Sequence, residues 1–265
     1  MLCWTELPLL RMLELQVLFS LDRLQHWLLA LVINGALIAA AQRLPLLTRA
    51  GWVHAGALGT LLLGSLGWSG WWAVVLYLAL GSLVTRLGFR RKQEQGLAEA
   101  RGGCRGPENV WGSAATGAAL ALLTVLPSAP VLLLKLGFAA SFAAKLADTF
   151  GSEIGKRWGR TTVLITSLRP VPAGTEGAIS LEGTLASLVG SSLMALVMLQ
   201  LGLLDGWGPW CLVTAVGLVA TLLESLIGAG LQQRCRWLSN ELVNALQTVI
   251  AAVLAMGAAS WIGLV

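Results

Sequence analysis

Cys211–Gly230 reads CLVTAVGLVATLLESLIGAG, and its one charge, Glu224, sits well inside an otherwise apolar run. Roughly 18–20 apolar residues carry a helix across the hydrocarbon core of a bilayer. The run therefore reads as a transmembrane helix. An ionised carboxylate at that depth is costly, and it marks function more often than packing. The rest of the chain has the same character. Its 265 residues are 56% hydrophobic and 12% charged, with a mean hydropathy of +0.76. A soluble domain would carry about 25% charge. The 31 glycines suit close helix packing in lipid and the 12 tryptophans suit its interfaces. The expected fold is all-α: a polytopic helical membrane protein of about eight spans, some short or half-buried.

Working outward, the spans fall near residues 25–42, 51–66, 69–88, 109–126, 130–150, 183–203, 209–230 and 242–263. Residues 1–24 read as an interfacial amphipathic segment and 25–265 as one helical membrane domain. The opening lacks Lys and Arg, and Glu14 and Asp22 interrupt its apolar stretch, unlike a signal peptide. Basic residues collect in the connections after odd-numbered spans: Arg43 and Arg49; Arg86, Arg90, Arg91, Lys92, Arg101 and Arg105; Lys156, Arg157, Arg160 and Arg169; Arg234 and Arg236. Basic connections stay cytoplasmic. Loops near 89–108, 151–182 and 231–241 are therefore expected on that side, and both termini on the other. Cys3, Cys104, Cys211 and Cys235 form no C-x-x-C pair, and His26 and His54 lie far apart. Neither a zinc site nor a disulfide framework is expected. Two sets of small residues, Gly51, Ala55 and Gly59 and then Gly183, Ser187 and Ser191, read as helix-packing faces.

Charge also gathers where an apolar helix ends. In KLADTFGSEIGKRWG, Lys145–Gly159, an advance of about 100° per residue puts Lys145, Asp148, Thr149, Ser152, Glu153 and Lys156 within an arc of about 140°. Three other helix ends carry similar stripes: Thr221, Glu224, Ser225, Gly228 and Gln232; Asn240, Glu241, Asn244, Gln247 and Thr248; Asn109, Gly112, Ser113 and Thr116. Pro107 suits the first turn of the last of these. Four polar stripes at one membrane level predict a shared polar cavity. A solvated helix end explains Lys156, Arg157 and Arg160, but not Glu224.

The connection GRTTVLITSLRPVPAGTEGAISLEGT, Gly159–Thr184, suits an anion. Gly174, Gly177 and Gly183 let backbone N–H groups converge. Arg169 can grip a phosphate, and SLEGT opens a helix whose N-terminus favours negative charge. Glu176 and Glu182 add oxygens that suit Mg²⁺. GSEIGKR is not a P-loop, because three residues rather than four separate its glycines and Arg follows the Lys. These residues by themselves point to a phosphorylated, anionic ligand with a divalent metal.

ARGGCRGPENVWG, KLADTFGSEIGK, ITSLRPVPAGTEGAISLEGTLA and LLESLIGAGLQ with WLSNELVN together cover most of Leu46–Met256. In these blocks the chain resembles the membrane-protein family that includes plant phytyl-phosphate kinase of vitamin E (tocopherol) synthesis, along with uncharacterised bacterial, archaeal and animal proteins. The resemblance implies transfer of a γ-phosphate from CTP or another nucleoside triphosphate to phytyl phosphate or a related prenyl phosphate. It implies catalytic roles for Asp148, Glu153, Glu224 and Asn244, with Mg²⁺ on Asp148, Glu153 and Glu224. Phosphate or substrate binding is implied for Arg101, Arg105, Asn109, Ser152, Arg169, Gly174, Thr175, Gly177, Ser180, Gly183, Thr184, Ser225, Gly228 and Asn240, with Pro170 in the same block. Where the family commonly has Asp, this chain has Glu224, which keeps the carboxylate on a longer reach. The expected partners are a prenyl phosphate lipid, a nucleoside triphosphate and membrane lipids, with no nucleic acid. The expected location is an inner or plasma membrane, or one of thylakoid type. Two alternatives stay open: a lipid-phosphate cytidylyltransferase, and a transporter or flippase for an anionic lipid.

Overall fold

The computed structural model describes residues 7–232, 234–235 and 237–264, with side chains along the first helix from Asp22 onward. Residues 1–6, including Cys3, and Arg236 lie outside the described residues. The long helices are α1 (Leu7–Ala41), α2 (Arg49–Arg86), α4 (Pro107–Leu123), α5 (Val131–Trp158), α6 (Leu181–Gln200), α7 (Trp207–Ile227) and α8 (Asn240–Ile262), with a short α3 (Phe89–Glu94). The only other pairing among the described residues' named elements is a small hairpin, β1 (Val163–Leu164) antiparallel to β2 (Ala178–Ile179). The protein is an all-α polytopic membrane protein.

The two spans expected at 51–66 and 69–88 are the limbs of α2, which breaks at Gly67 with φ 65° and ψ −156°. That conformation is open to glycine and strained for any residue with a Cβ. The chain doubles back there. Thr48 N donates to Arg105 O (3.0 Å) at one end of α2, and Arg86 Nη2 donates to Pro45 O (3.0 Å) at the other. Both ends therefore lie beside the α1–α2 connection. Near the bend, Trp71 Nε1 donates to Asn34 Oδ1 (2.9 Å), tying the hairpin to α1.

Among the described residues, five elements are long and apolar enough to cross a membrane: Asp22–Ala41, α2, α6, α7 with its extension to Gln232, and α8. The other two expected spans differ in kind. α4 has 17 residues. α5 runs on to Trp158 rather than ending near 150, and it carries Lys135, Lys145, Asp148 and Glu153. α5 can hold these charges because α2, α4, α6, α7 and α8 surround it. Leu136–Ala147 are buried without a break, the polar Ser141 and Lys145 included, and Phe138 and Phe142 tilt together at 5.0 Å.

Small residues let the helices close on α5. A Cβ on Gly183 would stand 2.9 Å from Gly151 O, and one on Gly190 would stand 2.9 Å from Leu146 O. Ser191 Oγ donates to Thr214 O (2.9 Å), joining α6 to α7. Adding a methyl at such a contact costs about 1–3 kcal/mol in an interior that cannot move apart. The expected packing face on α6 thus meets α5 and α7.

Candidate functional site

The C-terminal half of α5 supplies the centre. Lys145 Nζ pairs with Asp148 one turn on and donates to Asn244 Oδ1 of α8 (2.8 Å). Thr221 and Gln247 fasten the helices just below. Thr221 Oγ1 donates to Gly217 O (2.9 Å), while Gln247 Nε2 donates to Ala144 O and to Thr221 Oγ1, both at 3.1 Å. Thr116 and Thr248 share a hydroxyl contact of 2.7 Å between α4 and α8. The deeper members of the polar stripes therefore bind one another, which leaves the outer members to face open space.

That space is a cavity of about 340 Å³ at the end of the bundle where the basic connections meet. The four stripes reach it through Asn109 and Ser113, Asp148 and Ser152, Glu224 and Ser225, and Asn240 and Asn244. Arg101, Arg105, Gly174, Thr175, Gly177, Ser180, Gly183 and Thr184 complete its walls from the sequence-predicted set. Glu153, Arg169 and Gly228 do not line it.

Each of those three has a visible occupation. Glu153 lies at the edge of the polar arc, where α3 packs, and it forms a buried pair with Lys92. Lys92 Nζ also donates to Thr85 O (2.8 Å). The expected three-carboxylate set is therefore divided: Asp148 and Glu224 face the cavity and Glu153 faces α3. Arg169 is exposed in a turn, its carbonyl accepting from Leu164 N (3.0 Å). Gly228 opens a π-helical turn, Gly228–Gln232, at the end of α7, and a Cβ there would stand 3.1 Å from Gly177 N. It is a floor under the loop.

Two connections bring the loop residues in. After α2, Arg105 N donates to Leu46 O (3.1 Å) and Arg105 O accepts from Thr48 N. Arg101 pairs with Glu108 and donates to Asn109 Oδ1 (3.1 Å), which also accepts from Gly106 N (2.9 Å). The Arg101 guanidinium holds the exposed Glu108 carboxyl below its usual range. After α5, residues 162–165 pair on both sides: Val171 N with Thr162 O (3.0 Å), and Ile165 N with Gly177 O (3.1 Å). Ser180 caps α6, its Oγ accepting from Gly183 N (3.1 Å). Such a cap contributes about 1 kcal/mol.

Sequence reading passed over Tyr77 and Thr85, and took Lys156 for a solvated helix end and Ser187 for helix packing, yet all four line the cavity. Tyr77 lies in the apolar WWAVVLYLALG and has no polar neighbour in sequence to mark it. Glu176 lines the cavity too, and Glu182 instead accepts from Arg160 N (3.4 Å). Burial pushes the Glu176 carboxyl above its ordinary range. Lys156 draws it back and Asp148 pushes it further.

Among the described residues, no three His, Cys, Asp or Glu side chains converge as a metal cage. Asp148 and Glu224 nevertheless feel each other's charge across the cavity, and the Glu224 carboxylate has no hydrogen-bond or ion-pair partner among the described residues. Two carboxylates with nearby hydroxyl and amide oxygens fit Mg²⁺, which takes one or two carboxylates and completes its shell with water and substrate phosphate.

Residues 32–252 match the model of a family described as integral membrane protein DUF92. An uncharacterized membrane protein of Synechocystis sp. is 47% identical over 234 residues, 87% of this chain and 90% of that protein. The chloroplastic protein VTE6 of Arabidopsis thaliana is 40% identical over 215 residues, 79% of this chain and 64% of that protein. An uncharacterized membrane protein of Methanocaldococcus jannaschii is 31% identical over 207 residues, 77% of this chain and 82% of that protein. No solved structure matches the chain.

Proposed function

The chain belongs to this DUF92 family of integral membrane proteins, and from that premise we propose that it is a membrane-embedded prenyl-phosphate kinase. The reaction moves the γ-phosphate of CTP or another nucleoside triphosphate to phytyl phosphate or a related prenyl phosphate. An acceptor phosphate oxygen forms a bond to the γ-phosphorus as the bond to the β-phosphate oxygen breaks. A prenyl diphosphate and a nucleoside diphosphate result. The observation that carries this reading is the meeting, in one cavity, of a glycine-rich loop, two arginines and two carboxylates at the membrane end of the helices.

The chemistry asks for little beyond position and charge. The acceptor phosphate is already anionic, so no side chain need remove a proton. Gly174 and Gly177, both at positive φ, turn the loop so that its backbone can approach phosphate oxygens. Arg101 and Arg105 offset charge on the transferred group. Asp148 and Glu224 would hold Mg²⁺, with Lys145, itself held by Asn244, fixing the Asp148 side chain. When bound, the ion neutralises donor phosphate charge. The acceptor's chain would lie among the helices, and the basic connections would face the cytoplasm. Labelling of cysteines placed at 91 and 160 from opposite sides would break that orientation.

The test is incubation of the purified protein with phytyl phosphate, γ-labelled CTP or ATP, and Mg²⁺. Label should appear in phytyl diphosphate, and Asp148→Asn and Glu224→Gln should each lower turnover by orders of magnitude. Release of pyrophosphate in place of a nucleoside diphosphate would overturn the kinase reading in favour of cytidylyl transfer.

A further inference from the structure

Tyr77 is the only tyrosine in the chain. It is 4% exposed, lines the cavity, and its hydroxyl has no hydrogen-bond partner among the described residues. Buried hydroxyls are paired in the great majority of cases, so this one needs an explanation. Its ring is well held. Phe142 of α5 meets it edge-on at 5.3 Å, and the Arg105 guanidinium carbon lies 5.7 Å from the ring centroid. The guanidinium also lies against the bare backbone of Gly81, where a Cβ would stand 2.8 Å from Arg105 Nη2. The Arg105 guanidinium makes no hydrogen bond or ion pair among the described residues. Lys145, also on the cavity wall, lies within electrostatic reach of the phenol. Lys145 is itself paired with Asp148, so the inner end of the cavity offers the unused O–H of Tyr77 and the unused N–H groups of the Arg105 guanidinium.

Depth separates this end from the glycine-rich loop. Tyr77 precedes the end of α2 at Arg86 by nine residues, roughly 14 Å of helix. A nucleotide brings a sugar and a base that belong with water at the loop end. A lipid phosphate brings a chain that belongs among apolar helices. We propose that Tyr77 and Arg105 form the subsite for the phosphate of the lipid acceptor. The phenol O–H donates to one phosphate oxygen, and the guanidinium offsets charge on that phosphate and, during transfer, on the γ-phosphate that reaches in from the loop to meet it. This rests on the kinase reading above and assigns the two ends of its cavity to different substrates.

Because the tyrosine is unique, 3-fluorotyrosine places one ¹⁹F label at this site in the otherwise unchanged protein. Geranyl phosphate should shift its resonance. Geraniol, which lacks the phosphate, should not, and neither should CTP alone. Inorganic phosphate should shift it only at much higher concentration. In parallel, Tyr77→Phe keeps the ring against Phe142. It should bind geranyl phosphate about ten- to a hundred-fold more weakly, with CTP affinity and melting temperature unchanged. A label that moves with CTP alone overturns the assignment to the acceptor. So does a Tyr77→Phe protein that binds geranyl phosphate as the parent does. A parent that binds geranyl phosphate without moving the label overturns this inference and leaves the kinase reading standing. A parent that binds neither geranyl phosphate nor CTP overturns both.

Discussion

The two long connections that wall the cavity are held by opposite means. The one after α2 is fixed by charge. Lys92 and Glu153 pair out of water, Lys156 lies 3.8 Å from the other Glu153 oxygen, and Arg101 reaches Glu108 near the surface. The one after α5 is fixed by backbone. Residues 162–165 pair with residues 169–171 on one side and with Gly177 and β2 on the other, and Gly177 rests on Gly228 and Ala229, where no side chain would fit. Charge suits the first connection because it must deliver long arginine side chains while its own backbone pairs only briefly, at Arg105. Backbone packing suits the second because what it delivers is its own N–H groups. The first should therefore fail when a partner is removed, and the second when volume is added.

The largest effect is expected at Lys92. Lys92→Met leaves Glu153 buried with only the more distant Lys156 beside it, and uncompensated buried charge costs about 3–5 kcal/mol. Lys92→Met with Glu153→Leu should recover most of that loss, since an apolar pair of similar volume is often neutral. Thermal unfolding in detergent of the parent, both single variants and the double gives the coupling energy. A coupling near zero would mean that charge does not fix this connection. Near-wild-type stability with lost turnover in the double variant would instead return Glu153 to the chemistry.

Next comes Gly177. Its φ is 75°, and a Cβ would run into the backbone of Ala229. Gly177→Val meets both obstacles, so about 2–3 kcal/mol of loop docking should be lost. Because the loop lies outside the helix bundle, the melting temperature should barely move. Hydrogen exchange of residues 173–180 should quicken while α3 and α5 stay protected. If α3 loosens to the same degree, the two connections are one unit and the contrast between them fails.

Much of this was legible in the sequence. The bundle followed from apolar runs, and the two limbs of α2 were expected as separate spans at 51–66 and 69–88. The polar stripes followed from spacing, because a helix repeats its faces whether or not its neighbours are known. The rest depended on partners far away in sequence. Glu153 shares an arc with Asp148, and only the packing of Lys92, 61 residues earlier, turns it away. Arg169 beside glycines resembles a phosphate clamp until residues 162–165 pair with 169–171 and leave it in an exposed turn. Tyr77 carries its one polar atom at the tip of a ring in an apolar segment, so periodicity counts it as lipid-facing or core. Periodicity reports which face a residue shares, and only tertiary packing reports what that face meets.

The smallest effect should come from Glu176, where the second connection meets the charges of α5. It sits on the backbone-held loop, exposed at the cavity wall, with Lys156 pulling its carboxyl down and Asp148 pushing it up. Desolvation dominates and raises it above the ordinary value of 4.5. The docked loop therefore holds this proton to a higher pH than a free chain would. Docking should be strongest below the ordinary carboxylate range, weaken as pH rises through the raised value, and then level off. Glu176→Gln removes the titrating group and should flatten that slope, leaving docking at neutral pH slightly tighter than in the parent. The measurement is exchange protection of amides 173–180 from pH 4 to pH 8, corrected for intrinsic exchange. A slope that survives in Glu176→Gln would place the titration elsewhere in the cavity and make charge, as well as backbone, a fastener of the second connection.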